Sequence, residues 1–153
     1  MDDDDKPMYD RVAWIGGAPL NDKHDWVVRM VIQSGRYDIN GVELFTNLHG
    51  KRNRSGGKVD EEEEEEYPDI VGVDVSEDEP VIIAEIEGDK KFKDKHLAKW
   101  KKFAALDADF YLYVPLENVS NAKELLKDIE ISGLRAYRKT DDGRFYISNV
   151  KLE

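Results

Sequence analysis

At 153 residues, with 40% hydrophobic and 37% charged side chains, the chain has the length of one domain and enough apolar material for a core, which argues against whole-chain disorder. The lack of any cysteine excludes disulfides, thiolate metal sites and cysteine nucleophiles, and fits a reducing, cytoplasmic setting. No apolar run is long enough to span a bilayer and the start is acidic rather than signal-like, so a soluble protein with no membrane partner is expected.

The net charge of −11 is segregated. Met1–Pro7 ("MDDDDKP") carries −3 and Asp60–Glu66 ("DEEEEEE") carries −7, so the remainder is nearly neutral. Within that remainder, Asp89–Lys102 holds seven lysines against two aspartates, and Lys51–Lys58 adds four more positive charges. Local basic patches of this kind leave a nucleic-acid partner open despite the overall acidity. Residues 1–7 resemble an enterokinase-type tag or a disordered acidic start, with Met8 a natural beginning, and residues 8–153 read as a single domain.

In chain order, "NDKHDWVVRMVIQSG" reads as a first helix. Asn21 is its N-cap, Asp22 and Asp25 suit the first turn, Gly35 is the stop, and Trp26, Val27, Met30 and Val31 form the buried face. Gly41–Leu48 reads as a strand. Residues 49–66, low in complexity and running from a basic patch into the glutamates, read as a mobile loop. "PDIVGVDV" and "PVIIAEIE" form a strand hairpin around "SEDE", with Pro68 and Pro80 at strand starts. A helix from Asp94 to Leu106 turns Leu97, Trp100, Phe103 and Ala104 inward and Lys95, Lys99 and Lys102 to solvent. A strand "DFYLYVPL", a helix "NVSNAKELLKDIEISG" capped by Ser120, and a hairpin around Asp141–Gly143 complete the chain. The order α-β-β-β-α-β-α-β-β implies an α/β fold, a mixed central sheet flanked by helices.

The chemistry-bearing feature is three acids at the ends of the hairpin strands. Glu85 and Glu87 are two apart and share a strand face, and Asp69 on the neighbouring strand can meet them. Converging carboxylates, with the carbonyl of Ile86, suit a hard cation such as Mg²⁺ or Mn²⁺ that activates water and neutralises charge on a phosphate. A blander reading accounts for the same alternation: Ile82, Ala84 and Ile86 face one way, while Ile83, Glu85 and Glu87 form the wet face of an edge strand. Asp74 falls on the opposite face from Asp69 and reads as structural. His24, His49 and His96 lack a metal-ligand spacing and read as surface or satisfied residues, His96 being the nearest to a cleft.

"PDI…AEIE", with about sixteen residues from Asp69 to Glu85, resembles the PD-(D/E)xK nuclease superfamily, which has the restriction-endonuclease-like fold, over roughly residues 21–115. The resemblance implies Asp69 and Glu85 as the motif acids, with Asp69, Glu85, Glu87 and the Ile86 carbonyl holding the metal. Glu87 stands where the family has a lysine. An E-x-E variant is one reading and a migrated lysine another, with Lys93 the candidate and Asp22 a weak candidate for an acid from the first helix. The implied activity is divalent-metal-dependent hydrolysis of DNA phosphodiesters. Lys51, Arg52, Arg54, Lys95 and Lys99 would contact backbone phosphates, and a homodimer would be needed to cut both strands of a duplex. The alternative is a catalytically inactive nucleic-acid-binding or protein-interaction module with the same fold.

Overall fold

The computed structural model describes residues 14–15, 18–19, 23–88 and 90–152. The calls on Met1–Pro7, Asn21 and Asp22 lie outside them. Short strands β1 (Trp14–Ile15) and β2 (Ala18–Pro19) pair antiparallel ahead of helix α1 (Lys23–Gln33). Strand β3 (Val42–Thr46) follows, then the two-residue strands β4 (Gly57–Lys58) and β5 (Glu65–Glu66), and then β6 (Ile70–Asp74) and β7 (Glu79–Ile86). Helix α2 (Asp94–Ala104), β8 (Asp109–Pro115), a single 3₁₀ turn (Leu116–Asn118), α3 (Val119–Leu126), β9 (Gly133–Lys139) and β10 (Phe145–Val150) complete the order.

Six strands make one mixed sheet in the order β10-β9-β8-β7-β6-β3. β7, β8 and β9 run parallel, and β10, β6 and β3 are antiparallel to their neighbours. Parallel neighbours need crossovers, and α2 and α3 supply them between β7 and β8 and between β8 and β9. The architecture is therefore α/β with a mixed sheet, as the element pattern implies.

Each face of the sheet packs against helix. Ile70, Ile82, Ala84 and Ile86 join Trp26, Val27, Met30 and Val31 of α1 in one core, while Val71, Ile83, Leu112 and Leu134 join Trp100 and Phe103 of α2 in the other. Trp100, at 0% exposure, and Phe103, at 4%, each contribute about 2–3 kcal/mol of burial to the docking of α2. α1 stops where Gly35, at φ 79°, takes the left-handed conformation that a side chain disfavours. β7 lies inside the sheet with β6 on one side and β8 on the other, and α2 covers its second face. The edge-strand reading of Glu85 and Glu87 fails for that reason: alternation tells which residues share a face, not whether a helix lies over it.

The segment 49–66, expected as a mobile loop, is irregular over most of its length and contains one short strand pair. β4 pairs with β5, and the Gly56 amide donates to the Glu66 carbonyl at 2.8 Å. The Asn47 side chain ties the two ends together, donating to the Arg54 and Pro68 carbonyls at 2.8 and 2.7 Å and accepting from the Arg54 amide at 2.9 Å. A Cβ at Gly56 would stand 3.0 Å from Pro68 and 3.3 Å from Ile83, so glycine permits this close approach.

Candidate active site at the ends of strands β6 and β7

Asp69 immediately precedes β6 and Glu87 immediately follows β7, while Glu85 is the penultimate residue of β7. Ile70 pairs with Ala84, so the antiparallel register carries Asp69 to a position opposite Glu85. The Asp69 amide donates to Glu85 Oε1 at 3.0 Å, and the Ile86 amide donates back to Asp69 Oδ2 at 2.9 Å. The Glu87 amide continues the ladder to β8 by donating to the Tyr113 carbonyl at 2.8 Å. The three acids are thus locked to the backbone at the same end of two adjacent strands.

All three are buried, Asp69 at 8% and Glu85 and Glu87 at 7% exposure each. Burying carboxylates is costly unless they are paired and hydrogen-bonded. Lys99 of α2 supplies most of the compensation, its Nζ lying 2.9 Å from Glu85 Oε2 and 2.8 Å from Glu87 Oε2. Trp100, one residue on, donates from Nε1 to the same Glu87 oxygen at 2.7 Å. On the α1 side, His24 Nε2 stands 3.0 Å from Asp69 Oδ2, and its Nδ1 stands 3.1 Å from Asp25 Oδ1. The His49 ring, on a residue with φ 57°, brings Nε2 to 2.7 Å from Asp25 Oδ2.

The electrostatics follow from these contacts. The hydrogen bond to Asp69 outweighs desolvation and raises His24 to about 10, so at neutral pH the ring is a cation donating from both nitrogens. Burial first, and then Asp69, push the Glu85 carboxyl well above its ordinary range, with Lys99 pulling it back. For Lys99, burial lowers the affinity for its proton, but Glu85 and Glu87 more than offset this and the net shift is upward. The three acids therefore lie between two cations, His24 on the Asp69 side and Lys99 between Glu85 and Glu87, with Asp69 and Glu85 directly side by side.

The lysine that meets the acids is Lys99, which the helical wheel put on the solvent stripe. Lys93 is exposed at the start of α2, where its amide donates to His96 Nδ1 at 2.9 Å in the manner of a capping box. Lys51, Arg52 and Lys95 are exposed. Arg52 lies over the Tyr67 ring at 5.2 Å, and Arg54 is engaged by Asp78, with Nη1 at 3.1 Å from its carboxylate. Asp74 accepts from the Ser76 amide and hydroxyl, shaping the β6–β7 turn. His24, Asp25, Trp100 and Tyr137, whose hydroxyl donates to the Glu87 carbonyl at 2.6 Å, belong to the site but are not marked by any spacing.

As for an ion, the donor chemistry is that of a hard-cation site, carboxylate and carbonyl oxygens only. Yet the carboxylates are turned onto Lys99, His24 and backbone amides, and no three His, Asp or Glu side chains among the described residues are arranged as an ion cage. No helix among the described residues is long and apolar enough to cross a membrane. No family model matches the chain, and neither a curated protein nor a solved structure matches it.

Proposed function

We propose that this protein is a divalent-metal-dependent nuclease of the PD-(D/E)xK kind, with a restriction-endonuclease-like core, hydrolysing DNA phosphodiester bonds at the end of β6 and β7. The observation that carries the reading is Lys99. The linear motif has glutamate where the family has lysine, and in space the Lys99 ammonium lies 2.8 Å from that same glutamate and 2.9 Å from Glu85. A lysine delivered from the following helix can do what one on the strand would do, provided its Nζ reaches the acids. Helix–strand–strand–strand–helix–strand, with the acids on the paired strands, is the order this reading needs.

Asp69, Glu85 and the Ile86 carbonyl are the residues that would hold Mg²⁺ or Mn²⁺, Asp69 and Glu85 being fixed side by side through the Asp69 amide. Bound there, the ion supplies Lewis-acid polarisation of the phosphate and eases deprotonation of the attacking water. The chain's own part is separate. Glu87, held by Trp100, fixes the position of the Lys99 ammonium. With its charge secured by two carboxylates, that ammonium is a permanent donor toward a phosphate oxygen or toward the water. His24 links the Asp69 carboxylate to Asp25 of α1 and sets its orientation.

The test is cleavage of plasmid and of labelled oligonucleotides with Mg²⁺ or Mn²⁺, wild type against Lys99→Met. The reading expects a rate loss of about a hundredfold or more, the usual scale for removing an oriented charge-stabilising group. Cleavage at the wild-type rate in Lys99→Met would remove Lys99 from the chemistry. A second reading, an inactive module that keeps the fold, is favoured by the closed pairing of the acids with Lys99 and His24. It predicts no metal-dependent cleavage from the wild type on any nucleic acid.

A further inference from the structure

Away from the acids, a cavity of about 180 Å³ lies on the face of the sheet that α1 covers. One of its lining residues is Ile82, four residues before Ile86 on β7, so it sits roughly 13 Å along the strand from the acid end. Tyr111 and Tyr113 of β8 and Arg135 of β9 line it from the sheet, and Arg36, Tyr37 and Ile39 line it from the chain after α1. Water reaches it: Arg36, Tyr111 and Arg135 are half-buried, and Ile39 is 46% exposed. Two of the lining residues are arginines and none is acidic.

Arg135 is held in place without a counter-charge. Its guanidinium lies over the Tyr111 ring, 5.1 Å from the centre, and Nη1 donates to the Leu134 carbonyl at 3.3 Å; no carboxylate among the described residues pairs with it. Gly133 makes the placement possible, since a Cβ there would collide with Arg135 Nη1. Arg36 brings a second guanidinium, with Nη1 3.4 Å from Asn149 Oδ1. Both charges act on one point, the Tyr113 hydroxyl, where they oppose the upward push of burial. That hydroxyl and its partner on Tyr37, 2.6 Å away, are both raised by burial and stay neutral at pH 7, so they supply no negative charge of their own. A partly buried guanidinium with no anion is unfavourable, and its planar fork matches the oxygens of a phosphate or carboxylate. Two forks beside one cavity suit the anion with more acceptor oxygens, the phosphate. The volume, roughly six waters at about 30 Å³ each, takes a phosphate group but not a whole nucleotide.

We propose that this cavity is an anion site that binds a phosphate group through Arg36 and Arg135. It uses none of the residues assigned to the acid site, and it stands whether or not the protein is a nuclease. The phosphate is either the free anion or the end of a phosphomonoester whose apolar part rests on Ile39 at the mouth.

The experiment is titration calorimetry of inorganic phosphate, phenyl phosphate and acetate at constant ionic strength, in EDTA so that no ion at the acids takes part. Wild type is compared with Arg135→Met, Arg36→Met and, as a control remote from the cavity, Lys127→Met. The proposal expects phosphate to bind wild type more tightly than acetate does. It expects roughly tenfold or greater weakening in each arginine variant, the scale of losing a charge-assisted hydrogen bond, and a change below about twofold in Lys127→Met. Arg135→Lys, which keeps the charge and loses the fork, should fall between wild type and Arg135→Met. It decides the matter if Arg135→Met lowers the melting temperature of the free protein. Phenyl phosphate binding more tightly than phosphate would support the site and identify a phosphomonoester; equal or weaker binding would support it and identify the free anion. No preference of wild type for phosphate over acetate, or an affinity for phosphate unchanged in Arg135→Met and Arg135→Lys, would overturn the proposal.

Discussion

Replacing Lys99 by methionine keeps most of the side-chain volume and removes the one ammonium shared by Glu85 and Glu87. Breaking a buried ion pair by removing one partner costs about 3–5 kcal/mol. The Lys99 side chain is 36% exposed and water can partly replace it, so the expected loss is smaller, about 1–3 kcal/mol near pH 8. The pH dependence distinguishes this cause from a packing defect. Glu85 in the folded protein already binds its proton more tightly than its ordinary value of 4.5 allows. Stability from such a group is complete below the unfolded value and is lost as pH rises through the folded one. Without Lys99 the folded value climbs further, so the gap between variant and wild type widens from pH 5 to pH 8 and shrinks toward pH 4. Urea unfolding of both proteins at pH 4, 5, 6.5 and 8 measures it. A gap independent of pH, or larger at pH 4 than at pH 8, would refute the argument that Lys99 neutralises buried carboxylates.

Three further outcomes follow from the same contacts. His24→Asn should destabilise by about 1–3 kcal/mol, discounted as for Lys99 because its side chain is likewise 36% exposed. Since His24 is raised to about 10, the loss should be full below pH 6.5 and fade as pH rises toward 10, as urea unfolding across that range would report. Trp100→Phe keeps a ring in the core but deletes the 2.7 Å hydrogen bond to Glu87; hydrogen bonds to charged groups are worth about 1.5–3 kcal/mol, and a melting-temperature loss of about 4 °C or more is expected. Asn47→Ala removes the side chain that joins Arg54 to Pro68, and limited proteolysis should then cut within residues 49–66 several times faster than in wild type.

The elements of the core were legible because their patterning is strong. Val- and Ile-rich runs bounded by proline and turn residues mark β6 and β7, and the spacing of Trp26, Val27, Met30 and Val31 marks the buried face of α1. The side-by-side placement of Asp69 and Glu85 was legible too, since a hairpin with a short turn brings its two open ends together. What could not be read is what covers those ends. Lys99 lies one position before Trp100, at the rim of the buried face, and a wheel assigns a rim lysine to water unless its partner is known. The partners are on β7, and only the docking of α2 on the sheet brings them within 3 Å. The same holds for His24, 45 residues from Asp69 in the chain, whose contact depends on where the first turn of α1 lands. The burial of Glu85 and Glu87 escaped for a related reason. Period-two alternation separates the two faces of a strand, but a central strand under a helix has no wet face.

In the segment 49–66 composition marks the loop but not the short pairing inside it. Seven consecutive acidic residues from Asp60 to Glu66 read as loop, yet the last two pair with Gly57 and Lys58, and Asn47 anchors the segment from outside it. A single asparagine forming three backbone hydrogen bonds carries no compositional signal.

The central claim is that an ion and a scissile phosphate meet at Asp69 and Glu85. The most direct measurement is titration calorimetry of Mn²⁺ into wild type and Glu85→Ala, with DNA cleavage followed on the same preparations. The account predicts Mn²⁺ binding and cleavage by wild type, with both lost in Glu85→Ala. Mn²⁺ binding and cleavage that persist unchanged in Glu85→Ala, or a wild type that neither binds the ion nor cuts DNA, would contradict it.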